Sequence, residues 1–182
     1  MRFAEGEYVV HPGQGVCLIV GIVQGSSIVG ASADCPGHEE RHWQYELSPL
    51  ASPKVHIHYP VTREETLRPV VGRDEALAVI ADGPSMESDH FEKPQSWTVR
   101  EHFMELLRGG DCREAMRVTK SLYERMEEAQ TRGRKPRSCY ASIFEEARQR
   151  LLDELSIALD MPAEQVESLI RKSFGIEAAL PA

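Results

Sequence analysis

The chain has 182 residues, 41% of them hydrophobic, and a formal net charge of -8; that is enough for one sizeable core or two small ones. The acidic balance excludes a protein that coats nucleic acid by charge alone, and no apolar run approaches the roughly 18 residues needed to cross a bilayer. No charged-then-apolar export signal opens the sequence, so a cytoplasmic location without membrane contact is expected. The four cysteines, Cys17, Cys35, Cys112 and Cys139, form no C-x-x-C pair, which points to reduced thiols and away from a disulfide framework or zinc ribbon. Charge is unevenly spread: residues 1–96 hold 7 basic and 14 acidic side chains, residues 97–150 hold 12 and 9, and residues 151–182 hold 2 and 6. The only basic stretch therefore begins at Trp97.

From Glu7 to Val70, β-branched and aromatic residues punctuated by Gly, Pro and Ser predict short antiparallel strands. Tyr8–Val10, Val16–Val23 and Ile28–Val29 are the first three. In the fourth, Trp43, Tyr45 and Leu47 alternate with Gln44 and Glu46; in the fifth, Val55, Ile57 and Tyr59 alternate with Lys54, His56 and His58. The turn His11-Pro12-Gly13-Gln14-Gly15 joins the first two, with Pro fixing φ and the glycines permitting positive φ. A strand follows its G-x-G, not a helix amino terminus, which speaks against phosphate binding.

After Pro69 the pattern is helical. Asp74–Ala81 forms a short helix, and Asp82 to Pro94 is a polar linker. Thr98-x-x-Glu101 reads as a capping box that places Trp97 just outside a helix whose inward stripe is Val99, Phe103, Leu106 and Leu107. Gly109-Gly110 stops it, and Asp111-x-x-Glu114 caps the next helix, with Ala115, Val118, Leu122 and Met126 inward. The basic loop Arg132-Gly133-Arg134-Lys135-Pro136-Arg137 precedes a longer helix bearing Phe144, Ala147, Leu151, Leu155 and Ala158. Pro162 opens a last one through Val166, Leu169, Ile170 and Phe174.

These elements give an α+β chain: a small Tudor/SH3-like bent antiparallel β-module over residues 1–72, a short helix and polar linker over 73–96, and an all-helical bundle domain over 97–182 with an extra C-terminal helix. No Walker loop, H-E-x-x-H, G-x-S-x-G or dinucleotide fingerprint is present, so a non-enzymatic protein without cofactor or metal is expected. Cys35, His38 and His42 lie within eight residues but match no closed zinc site, and a metal-dependent enzyme using them is the remote alternative. His56 and His58 share a strand face without a nucleophile or carboxylate at motif spacing. Trp97 is either a packing plug between the domains or an exposed wedge; burial is the usual use of Trp and favours the plug.

Several of these residues also form an ordered set. Phe3-x-x-Gly6-Glu7-x-Val9-Val10-x-Pro12-x-x-Gly15-Val16 and Leu67-Arg68-Pro69-Val70 are followed by Trp97-x-x-Arg100 and Leu106-x-x-Gly109-Gly110-Asp111. Then come Glu114-Ala115-x-x-Val118-x-x-Leu122-x-x-Arg125 and Ala147-Arg148-x-x-Leu151-x-x-Glu154-Leu155. Over about residues 1–160 the chain resembles the CarD/CdnL family of bacterial RNA polymerase-binding transcription regulators. The resemblance implies a Tudor-like module docking on the polymerase β subunit, with Ile57, His58 and Tyr59 facing it. It also implies a helical domain at promoter DNA near the upstream edge of the melting bubble. There Trp97 would wedge into the minor groove and Arg100 would hold a phosphate.

The chain departs from its relatives at Val99, Glu101, His102, Ala141 and Ser142, where basic residues are usual, so its own DNA grip is expected to be weak without polymerase. The loop residues Arg132, Arg134, Lys135 and Arg137 are expected to compensate. The thinned basic surface leaves a second reading, a polymerase-docking adaptor whose helical domain binds another protein.

Overall fold

A computed structural model describes residues 1–29, 38–91, 96–135 and 138–175. The chain divides into two compact units, residues 1–69 and 70–182.

The first unit is a five-stranded antiparallel sheet of β1 (Tyr8–His11), β2 (Gly15–Val29), β3 (His38–Pro49), β4 (Ile57–Pro60) and β5 (Arg68–Pro69), in the order β4-β3-β2-β1-β5. In the turn between β1 and β2, Gln14 N–H donates to His11 O at 3.2 Å, and Gly13 has φ +87°. Pro at the second position and positive φ at the third make a type II arrangement, which a side chain at Gly13 would strain. The strands expected at Val16–Val23 and Ile28–Val29 are one strand. β2 pairs with β3 continuously from Cys17↔Pro49 to Val29↔His38 apart from a bulge between Ile19 and Gly21, so ladder bonds carry the Gly25-Ser26-Ser27 tract that reads locally as a break.

Curvature shows in the rings of His11 and Tyr59, whose centroids lie 5.0 Å apart. Their strands are three places apart in the order, about 14 Å in a flat sheet, so the sheet must curl. Phe3, Val9, Cys17, Ile19, Tyr45, Leu47 and Leu67 fill the concave side. A 3-10 segment, Val61–Thr66, brings Glu64 to the end of that core. Tyr45 donates its hydroxyl to Glu64 at 2.5 Å, while Arg2 N–H donates to Glu64 at 2.8 Å. Burial and then the Glu64 contact push the Tyr45 phenol up; the Tyr45 and Arg2 hydrogen bonds hold Glu64 below the usual carboxylate range.

Two expectations in this unit are corrected. Trp43 was assigned to the same inward face as the fully buried Tyr45 and Leu47, yet it is 47% exposed, because β4 ends opposite Gln44 and the β2–β3 arm runs on past it. Val55 lies outside β4 and is 49% exposed. Its N–H closes a turn onto Ser52 O instead.

The second unit contains α1 (Arg73–Asp82), α2 (Ser96–Arg108), α3 (Cys112–Thr131), α4 (Ser138–Leu159) and α5 (Ala163–Ser173). Val99, Phe103, Leu107, Ala115, Val118, Leu122, Met126, Phe144, Ala147, Leu151, Leu155, Val166 and Ile170 are buried in one core, at the helical spacing read from the sequence. The segment expected as short helix and polar linker adds to it: Ala76, Val79 and Ile80 of α1 are buried, and Met86 and Phe91 pack against it.

Asp111 caps α3, accepting from Arg113 N–H at 2.7 Å and Glu114 N–H at 3.3 Å. Glu114 does not complete the box, because its carboxylate pairs with Arg117 at 2.6 Å. The capping box at Thr98 is not formed. Helix α2 already includes Ser96 and Trp97, since neither residue lacks an N–H or needs positive φ, so nothing stops the helix at Thr98.

Candidate functional site

Strand β4 is the outermost strand of the sheet, with β3 on one side only. Its register sets Leu47↔Ile57, Glu46↔His58 and Tyr45↔Tyr59. Ile57 and Tyr59 lean on the module's core, while His58 is exposed on the opposite face. Tyr59 is fixed by the His11 ring and by a hydroxyl contact to Thr66. On the outer face His56 Nδ1 meets Glu46 Oε1 at 2.6 Å. That carboxylate, absent at motif spacing, comes from the neighbouring strand and becomes visible only once the register is known. The exposed edge presents main-chain N–H and C=O groups of the kind an added strand can pair with.

In the helical unit, Trp97 sits in the first turn of α2, is 64% exposed and is not part of the helical core. Arg100 follows three residues later on the same helix face and is also exposed. The short turn Gly109–Asp111 makes α2 and α3 an αα-hairpin. Because α3 has 20 residues and α2 has 13, the end of α3 overhangs the start of α2 by about 10 Å. Arg132, Arg134 and Lys135 are therefore exposed at the same end of the bundle as Trp97; Arg137 lies outside the described residues.

Most of the basic stretch is engaged within the bundle. Arg113 pairs with Asp82 at 2.8 Å, Arg148 with Glu145 and Glu167 at 2.8 Å each, and Arg150 with Glu146 at 2.7 Å. Lys120 Nζ donates to Pro84 O and Met86 O at 2.7 and 2.5 Å. Arg125 donates to Asp89 O at 2.9 Å and stacks 4.9 Å from the Phe91 centroid. Arg117 stands 3.8 Å and His102 3.5 Å from the Asp89 carboxylate. One face of α3 thus straps down the segment that leads to α2. Arg132 pairs with Glu128 at 2.7 Å, both side chains largely exposed, so the pair holds it weakly. Arg100, Arg108, Arg134 and Lys135 make no ion pair among the described residues.

Comparison with known families assigns both units. The CarD-like/TRCF RID domain matches residues 3–71, and the CarD C-terminal domain matches residues 84–171. The chain belongs to the CarD-like family. No individual curated protein matches it. CarD-like proteins are RNA polymerase-interacting transcription factors and non-enzymatic regulators, and the first matched domain is the one that interacts with the polymerase.

Around the CarD-like sites, no group of three or more His, Cys, Asp or Glu among the described residues could hold a metal; Cys35 and the His38 side chain lie outside them. No described helix is long and apolar enough to cross a membrane. Besides Glu46, sequence reading missed the strap centred on Asp89. Its signal, Arg117, Lys120 and Arg125 spaced along α3, carries no mark of its partners, because these are mostly backbone carbonyls.

Proposed function

We propose that this CarD-like protein docks on the RNA polymerase β subunit through the β4 edge at Ile57, His58 and Tyr59, and lengthens or shortens the life of promoter open complexes through Trp97. The observation that carries the reading is the 64% exposure of Trp97, in a chain whose other described large apolar side chains are mostly buried or partly buried. Inserted between base steps at the upstream edge of the bubble, an exposed tryptophan stabilises distorted DNA at a cost of about a few kcal/mol per unstacked step. Arg100, one turn away, supplies a phosphate contact, and Arg134 and Lys135 add positive charge at the same end.

The exposed cations described at this end, Arg100, Arg132, Arg134 and Lys135, are too few for tight binding to free DNA. Docking compensates, because a helical domain held on polymerase meets the promoter at high effective concentration. The protein then acts by binding the open state better or worse than the closed one, in the cytoplasm where polymerase works.

The test is capture of the isolated β subunit combined with footprinting of promoter complexes. Capture together with changed protection at the upstream bubble edge supports the reading, and absence of capture overturns it. The cations engaged within the bundle favour a second reading, an adaptor whose helical domain binds a protein. Capture without any change at the bubble edge would select it.

A further inference from the structure

The β-module carries an exposed tryptophan of its own. Trp43 is 47% exposed and stands on β3 two residues before Tyr45 and four before Leu47, on the face of the sheet that those two bury. It lies outside their core. At this level the two faces of the β2–β3 arm differ. On the opposite face Gln44 lies across β2 at Gly25, where a Cβ would come within 2.7 Å of its amide. On the Trp43 face the cross-strand neighbour is Gln24, itself exposed.

The strands around Trp43 leave room beside it. Pairing of β4 with β3 ends at Gln44↔Pro60, and Pro60 has no N–H with which to carry the ladder on. The chain then enters the 3-10 segment Val61–Thr66, which turns onto the core with Glu64 at the Tyr45 hydroxyl and does not follow the arm. From His38 to Trp43, β3 has β2 as its one strand neighbour among the described residues. The line that a longer β4 would take there is about 20 Å, the length of one ordinary strand.

We propose that Trp43 is an anchor of the docking surface. An extended segment of the polymerase β subunit lies beside the arm where β4 stops, covers the indole with an apolar side chain and accepts its Nε1–H on a carbonyl. The inference rests on the docking proposed above and extends it from β4 onto β3. The β subunit is the occupant because Trp43 lies within the matched domain, residues 3–71, which is the polymerase-interacting one, and next to the end of the strand proposed to dock. Tryptophan suits the role physically. Held on a paired strand, it buries on the order of 200 Å² while ordering only two torsions, and binding energy concentrates on such residues.

Capture of the β subunit by Trp43→Ala is expected to fall at least about thirtyfold, which at about 1.4 kcal/mol per tenfold is about 2 kcal/mol, with an unchanged melting temperature. Trp43→Phe should recover part of the loss. A second readout uses the wild-type chain, whose two tryptophans are Trp43 and Trp97. Hydroxyl-radical labelling followed by mass spectrometry reads each of them separately. Adding the β subunit without DNA should remove most of the labelling of Trp43 and leave Trp97 labelled as in the free protein.

Wild-type capture by Trp43→Ala would overturn the inference while docking stands, whether or not Trp43 is protected, since a covered residue that costs nothing to remove is no anchor. If Trp43→Ala melts the β-module, the labelling decides: an unprotected Trp43 in the complex overturns the inference, and a protected one supports it. Protection of Trp43 that grows with protein concentration before any β subunit is added would place a second copy of this chain on the arm and overturn the choice of occupant. Absence of capture by the wild-type chain would overturn the docking and this inference together.

Discussion

In the β-module the proposed docking surface is main chain, the outer edge of β4, whereas in the helical unit the proposed contact surface is a handful of side chains at one end of a bundle. The two regions use their charges differently as well. His58 and the Glu46–His56 pair lie on the outer face of the module, while most cations of α3 and α4 are turned onto carboxylates and carbonyls of their own unit. A positive stretch of sequence is thus not a positive surface. Seven of the 12 basic residues in 97–150 have a partner within their own unit, which leaves Trp97 with a few exposed cations for the proposed DNA contact.

The comparison breaks most visibly if the units do not stand on separate cores. Phe103 is fully buried in the helical core, and Phe103→Ala should destabilise that unit by about 3–5 kcal/mol. Capture of the β subunit should survive, because Phe3, Tyr45 and Leu47 are untouched. Thermal unfolding followed beside capture checks this; loss of capture would mean that docking needs both units.

A smaller effect tests the edge itself. His58→Glu changes an exposed residue opposite Glu46 and should weaken β-subunit capture about tenfold, or about 1.4 kcal/mol, with an unchanged melting temperature. Asp111→Ala removes the α3 cap and should cost about 1 kcal/mol in the helical unit alone, as measured by denaturant titration.

The smallest expected effect is acid sensitivity of the β-module. Glu64 has its folded pKa held below its unfolded value, so its contribution is present above the unfolded pKa and is lost as pH falls through the folded one. Glu64→Gln should flatten that acid limb of the pH–stability profile, lowering stability slightly at neutral pH and leaving it unchanged below the folded pKa. An unaltered limb would show that the Tyr45–Glu64 contact contributes nothing.

The fold was legible wherever periodicity alone decides. The stripes of α2 to α5 lie in the core or, at Leu106, Ala158, Leu169 and Phe174, pack partly buried against it, and Pro12 with Gly13 marks the β1–β2 turn. It was illegible wherever a residue's state depends on a partner far along the chain. Gly25–Ser27 reads as a break until β3 is paired to it, and Trp43 reads as core until β4 stops short. The preference of Trp for burial misplaced Trp97, because propensity cannot see that Val99, Phe103 and Leu107 face inward and leave Trp97 to solvent. Arg117, Lys120 and Arg125 are simply part of a basic stretch until Asp89 and the carbonyls of Pro84, Met86 and Asp89 are set against them.

The central claim is that Trp97 acts on DNA and not on folding. Open-complex lifetime at a responsive promoter, measured with wild-type protein and with Trp97→Ala at concentrations that saturate polymerase, tests it most directly. The account predicts that Trp97→Ala leaves the lifetime at its value without the protein, while β-subunit capture stays intact and stability stays within about 0.5 kcal/mol, as for an exposed side chain. A wild-type lifetime with Trp97→Ala, or a lost effect that tracks unfolding of the helical unit, would contradict it.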